Sequence, residues 1–155
     1  MLFRSLQLGH VDTLVDVRER AQSRRPGFSK RSLEAALQQV GIAYLHLPQL
    51  GDPKEGRHAA RAGDVGRFQA IYQEVISGPA ARQALSLLEK LASEQKICLM
   101  CFERDQRGCH RKIVADNLEY RLQIKASHWG VRAGVAHASR SRRVLHSDQS
   151  AAASV

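Results

Sequence analysis

Apolar positions along the chain change period several times, and each change marks a predicted element. Residues 12–17, Asp-Thr-Leu-Val-Asp-Val, set Leu14, Val15 and Val17 in a short run with β-branched bulk, which predicts a buried strand with Asp16 and Arg18 at its carboxyl end. Residues 19–29, rich in Arg, Ser, Pro and Gly, read as a loop. Leu33, Ala36, Leu37 and Val40 then recur at helical spacing, so a helix is expected from near Lys30, capped by Ser29 and ended by Gly41. Ile42 to Leu47 predict a second strand, closed by Pro48 and followed by a turn over Leu50-Gly51-Asp52-Pro53. Residues 54–66 mix glycines with polar residues and read as a mobile loop. Phe68, Ile71, Tyr72 and Val75 mark a helix that Gly78-Pro79 breaks, and Ala84, Leu87, Leu88 and Leu91 mark the next. Ile97 to Phe102, almost free of polar atoms, predict a strand covered on both faces. A polar loop, Glu103 to Gly108, leads to a last helix that starts near Cys109 or His110 and carries Ile113, Val114, Leu118 and Leu122.

Strand and helix alternate, so the expected fold is α/β with three layers: a mainly parallel sheet, right-handed crossovers and helices on both faces. From about Ser127 the periodicity dissolves into small residues, Arg and Ser. The expectation is one domain over residues 1–126 and a basic, disordered tail over residues 127–155, with Trp129 placed to pin the start of that tail.

Composition adds constraints. A chain of 155 residues suits one domain and buries a core without staples. Aromatics make up only 5%, so that core must rest on Leu, Val, Ile and Ala. The formal charge of +9 and the pI near 10.1 favour anionic partners, either small phosphorylated molecules or nucleic acid, with solubility as the blander explanation. Part of that charge lies in Lys125, Arg132, Arg140, Arg142 and Arg143, against the single acid Asp148. No run approaches the roughly 18 apolar residues of a membrane span, so no membrane partner is expected. Three cysteines, an odd number without a secretory signal, predict reduced thiols in the cytoplasm rather than a disulfide framework.

Candidate chemistry gathers at strand ends, where parallel α/β sheets bind ligands. One end supplies Asp16 and Arg18; the other supplies Cys101 and Glu103, then Cys109, His110 and Arg111 at a helix start. A helix N-terminus attracts anions and lowers the pKa of a nearby thiol. Cys101 or Cys109 is thus a candidate nucleophile, with Glu103 or His110 moving protons and Asp16 orienting Arg18 or acting as a base. Arg18 and Arg111 are candidates to hold an anion bidentately. The alternatives are a core role for Cys101 and a buried ion-pair network that only holds strand ends together. Cys98-x-x-Cys101 has the spacing of a zinc knuckle, but residues three apart in a strand point to opposite faces, so neither structural zinc nor another cofactor is expected. Cys101-x5-Arg107 has the spacing of an oxyanion-cradling loop, yet its two acids and lack of glycine argue against that reading. Arg20, Arg24, Arg25 and Lys30 surround Phe28 without an acid, a pattern that suits phosphate or nucleic-acid contact as well as it suits a solvated loop.

Asp16-Val17-Arg18, the stretch Ser23-Arg24-Arg25-Pro26-Gly27-Phe28-Ser29, then Tyr44-Leu45-His46-Leu47-Pro48-Gln49-Leu50-Gly51, and Cys101-Phe102-Glu103-Arg104-Asp105 with Cys109-His110-Arg111 resemble the bacterial family named domain of unknown function 488, from about residue 9 to residue 122. The resemblance implies an α/β domain with a shared polar site and brings no reaction with it. It also implies a first strand and a helix ahead of Asp16-Val17-Arg18, where this chain has only about ten residues. Either the first strand is missing from the sheet, with Met1 to Gln7 the remnant of the helix, or the natural start lies upstream. Two functions are expected from these observations: an enzyme acting on an anionic, phosphate-bearing substrate at the strand ends, or a non-catalytic nucleic-acid-binding module that uses the Arg-rich loop 18–31 and the basic tail.

Overall fold

The computed structural model describes residues 2–103 and 108–129, together with the backbone of two short strands at 131–132 and 135–136. Strand β1 (Thr13–Asp16) is buried at all four positions because it is the central strand. It pairs in parallel with β2 (Ala43–His46) on one side and with β3 (Ile97–Met100) on the other. Asp16 lies level with His46 and Met100, so the carboxyl ends of all three strands meet at one edge. Among the described residues the main sheet has no strand before β1; helix α1 (Leu2–Leu8) precedes it.

Alternation along β1 divides the core into two layers. Leu14 packs with Leu6 of α1, with Leu33 and Leu37 of α2 (Lys30–Gln38), and with Ile42 and Met100. Val15 and Val17 pack on the opposite side, with residues of α4 (Val65–Ser77), α5 (Pro79–Glu94) and α6 (His110–Leu122). The largest side chain there is Tyr72 of α4, fully buried. The chain is therefore a three-layer α/β protein, as its periodicity predicts.

Three local expectations change. Residues 54–66 are not a loop: they hold helix α3 (Lys54–Arg61) and the start of α4, which Asp64 caps by accepting the Arg67 N–H at 3.0 Å. Helix α3 buries only Gly56 and Ala59, so it lacks the bulky apolar stripe that makes a helix legible. Ser29 occupies the N-cap of α2 without a side-chain cap bond; its hydroxyl instead bridges the backbone of Ser23. Strand β3 is an edge strand, half-buried at three of its four positions, although its residues touch both layers. Trp129 packs into the α1–α2 layer so closely that a Cβ on Gly9 would come within 1.9 Å of its ring. Beyond it, β4 (Val131–Arg132) and β5 (Val135–Ala136) form an antiparallel pair. The rest of the expected tail, residues 137–155, lies outside the described residues. Among the described residues no helix is long and apolar enough to cross a membrane.

Candidate functional site

The period-2 alternation of β1 also sorts the polar groups at its end. Asp16 follows Leu14 onto the α1–α2 face and meets Arg18, which is equally buried. The pairing is bidentate: Arg18 Nε donates to Asp16 Oδ1 at 2.8 Å and Nη2 donates to Oδ2 at 2.6 Å. The remaining Nη1 donates to the carbonyl of Phe28, and Tyr44 donates its hydroxyl to Asp16 Oδ2 at 2.6 Å. Burial works against the Arg18 charge, but the hydrogen bonds and charge of Asp16 outweigh it and hold the guanidinium above its ordinary pKa. Burial, then the bond to Asp16, raises the Tyr44 pKa as well. Each nitrogen of the Arg18 guanidinium is thus committed to a partner within the protein. The pair ties loop 19–29 to the sheet through Phe28, and the guanidinium stacks 5.1 Å from the ring centroid of Phe102.

The cysteines sort by the same rule. Cys98 packs on the α1–α2 side of β3, whereas Cys101 packs on the other side, so the two do not face each other. Burial raises the Cys98 thiol to about 11. Cys101 instead meets Cys109, the N-cap of α6, with their sulfurs 2.8 Å apart. Two thiols this close share a proton, and the surrounding donors decide which one keeps it. The Cys101 sulfur receives the Cys109 S–H, accepts the Glu103 N–H at 3.3 Å and feels the charge of Arg111; these together lower its pKa against the effect of burial. Cys109 is shifted up, first by its bond to Cys101 and then by burial, although it caps α6 by accepting the Arg111 N–H at 3.4 Å. Of the pair, Cys101 is therefore the thiol that gives up its proton more readily, and Cys109 the one that keeps it.

His110 completes the cluster. Its Nε2 lies 2.8 Å from the carbonyl oxygen of Val17, which only accepts, so Nε2 carries the proton and Nδ1 is the free lone pair. Nδ1 faces the Cys109 sulfur at 3.8 Å. Burial, chiefly, lowers the His110 pKa to about 4, so the ring is neutral near pH 7. It packs against Tyr72, ring centroids 5.4 Å apart, and Tyr72 donates its hydroxyl to the carbonyl of Leu50.

The turn after β2 brings in further groups. Asp52 is buried, and its Oδ1 has no hydrogen-bond partner. Burial first, then the charges of Glu19 and Glu103, raise it to about 6 despite nearby Arg57. Gly56 is what admits this carboxylate: a Cβ there would lie 2.0 Å from Oδ1. Arg57 ties two elements together by donating to the Asp52 carbonyl and, at 2.6 Å, to Glu19 Oε2. At Gly51 the backbone of Glu19 passes so near that a Cβ would come within 2.2 Å of the Glu19 nitrogen.

The structure therefore gathers Cys101, Cys109 and His110 into one contact cluster, with Glu103 and Arg111 beside it. Asp16 and Arg18 occupy the other face and adjoin the cluster through the backbone of Val17 and the ring of Phe102. Arg24 and Arg25 are exposed on loop 19–29, with Arg25 stacked on Phe28 at 4.7 Å. Arg104 to Arg107, and with them the Cys101-x5-Arg107 spacing, lie outside the described residues. Glu19, Asp52, Arg57 and Tyr72 went unremarked as site residues because they sit on a helix without an apolar stripe, on turns, or in the core. The one available signal was Asp52, a carboxylate in the turn directly after a strand.

A three-layer parallel α/β sheet with a thiol pair at the carboxyl ends of its strands defines the class of protein. The family model described as "Domain of unknown function DUF488" matches residues 2–118, and the chain belongs to that family. Comparisons with curated proteins and with solved structures each returned no match.

Proposed function

We propose that the protein is an enzyme that uses the Cys101 thiolate as a nucleophile on an anionic, phosphate-bearing substrate. The observation that carries this reading is the 2.8 Å contact between Cys101 and Cys109 beside a neutral His110. In the first half-reaction the Cys101 sulfur gives its electron pair to an electrophilic centre of the substrate. The leaving group departs with the bonding pair and takes the Cys109 proton, whose hold on that sulfur falls once Cys101 no longer carries charge. His110 packs beside Cys109 as a neutral ring, and Arg111 stabilises the negative charge. Asp52, buried with its Oδ1 unpaired, is the group best suited to exchange a proton near pH 6. Three free thiols fit a reducing compartment, and we place the protein in the cytoplasm.

Iodoacetamide labelling of the native protein across pH, resolved by mass spectrometry for each cysteine, tests the nucleophile. Cys101 should react first, well below the ordinary thiol pKa of about 8.5, with Cys98 lagging. In Cys109→Ala the Cys101 profile should move up towards the ordinary value. Labelling of Cys101 only above that value, in both proteins, would sink the reading.

A nucleic-acid-binding module is the second reading, favoured by the Arg25–Phe28 stack on a loop with exposed Arg24. It requires binding that weakens steeply with salt and that fails when Arg24 and Arg25 are both changed to glutamine.

A further inference from the structure

Helix α3 is unusual in its charge. Lys54, Arg57, His58 and Arg61 stand at i, i+3, i+4 and i+7, so they form a single stripe along one face. The helix has one acid, Glu55, and it does not line the cavity that the stripe faces. Like charges at these spacings repel, and a cation at the first helical position opposes the helix dipole. Nothing in the packing of α3 calls for such a stripe, since its buried contacts come from Gly56 and Ala59.

The stripe faces Glu19 and Arg20, just beyond β1, across a cavity of about 450 Å³ lined by those six residues. The only carboxylate there, Glu19, is already engaged by Arg57 at 2.6 Å. Arg20, Lys54, His58 and Arg61 take part in no ion pair among the described residues. The cavity thus holds an excess of cationic side chains around a space large enough for a small molecule. Through Arg57 it adjoins Asp52, whose carboxylate feels the Arg57 charge.

We propose that this cavity is an anion-binding site for a small ligand carrying two or more phosphate charges, with Arg20, Lys54 and Arg61 as its direct contacts. The proposal rests on the anionic-substrate reading above and assigns the substrate's phosphate end to a place that reading left open. Arg57, held by Glu19 and by the Asp52 carbonyl, fixes the cavity wall and couples it to the turn beside the thiols. A compact polyanion bound here relieves the repulsion along α3, and its affinity depends on salt.

Titration calorimetry of the full chain with inorganic pyrophosphate, at low and at moderate salt, tests this directly. Saturable one-to-one binding is expected, weakened about tenfold or more in the double variant Lys54→Gln/Arg61→Gln, as removal of charge-assisted contacts implies. The same variant should melt at the same temperature as the native chain or above it, because the removed charges repel one another. Cys101→Ser should bind pyrophosphate as the native chain does, so a failed nucleophile and a failed anion site give different results. No binding by the native chain, or equal binding by the double variant, would overturn the proposal. So would a cooperative loss of stability in that variant, which would make the stripe structural. Affinity that appears only with oligonucleotides and grows with their length would assign the face to nucleic acid instead.

Discussion

Asp16→Ala is expected to lower folding stability by about 3–5 kcal/mol, the usual cost of removing one partner from a buried ion pair. The change strands Arg18, only 2% exposed, by removing the acceptor of its Nε and Nη2, and it removes the acceptor of the Tyr44 hydroxyl as well. Water cannot reach the guanidinium without opening the space between β1, β2 and loop 19–29, which Arg18 itself fastens at Phe28. The double variant Asp16→Val/Arg18→Met, nearer in volume and without charge, should recover much of the loss, because desolvation of the pair offsets much of its attraction. Urea denaturation of the three proteins decides the matter. A loss below about 1 kcal/mol in Asp16→Ala would place the pair among solvent-screened surface contacts and contradict its burial.

Asp52→Asn is expected to stabilise the protein, by about 2–3 kcal/mol at pH 8, which is unusual for a change at a buried polar residue. The native carboxyl is raised from 3.8 to about 6, chiefly by burial, so the folded state holds a proton that the unfolded state releases more readily. Above pH 6 the folded protein carries a buried, unsatisfied charge; below about pH 4 both states are protonated and the advantage of the amide disappears. His110 has the opposite sign. Its pKa is lowered from 6.5 to about 4, so the unfolded chain takes up this proton first and stability is lost as pH falls through that window. In the native chain the two effects largely cancel between pH 4 and 6. In Asp52→Asn the His110 effect stands alone, and stability should fall by roughly 1.4 kcal/mol per pH unit between pH 6 and 4.5. Denaturation midpoints at pH 4.5, 6 and 8 give the comparison; an Asn variant no more stable than the native chain at pH 8 would mean that Asp52 is solvated or paired. A carboxyl kept at this expense fits the proton-exchanging role proposed for it above.

Much of the fold and part of the site are legible in the chain itself. Leu14, Val15 and Val17 mark a buried strand whatever surrounds them, Gly41 ends α2 at a φ of +72°, and the run from Ile97 to Met100 admits little but a strand. Strand–helix alternation then selects a parallel sheet, and the carboxyl ends of its strands select the place of the site. Cys101, Cys109 and His110 are recognisable as candidates because they stand at a strand end and a helix start, where parallel α/β sheets bind ligands. Helix α3 was not legible, since Lys-Glu-Gly-Arg-His-Ala-Ala-Arg buries only small residues and its cationic stripe resembles the composition of a solvated loop.

What sequence alone determined was which residues are candidates for chemistry and that they lie at one edge of a sheet. Which of them meet was decided by tertiary structure, because meeting depends on strand order and on the face each side chain takes. With β1 between β2 and β3, alternation sends Asp16 and Arg18 to one face, where they neutralise each other, and Cys101 to the other, where α6 delivers Cys109 and His110. No local pattern records that Gly56 leaves room for the Asp52 carboxylate, or that Gly51 lets the Glu19 backbone pass. The Gly51 contact joins segments distant in the chain, and its energy arises only when packing has removed the water between them.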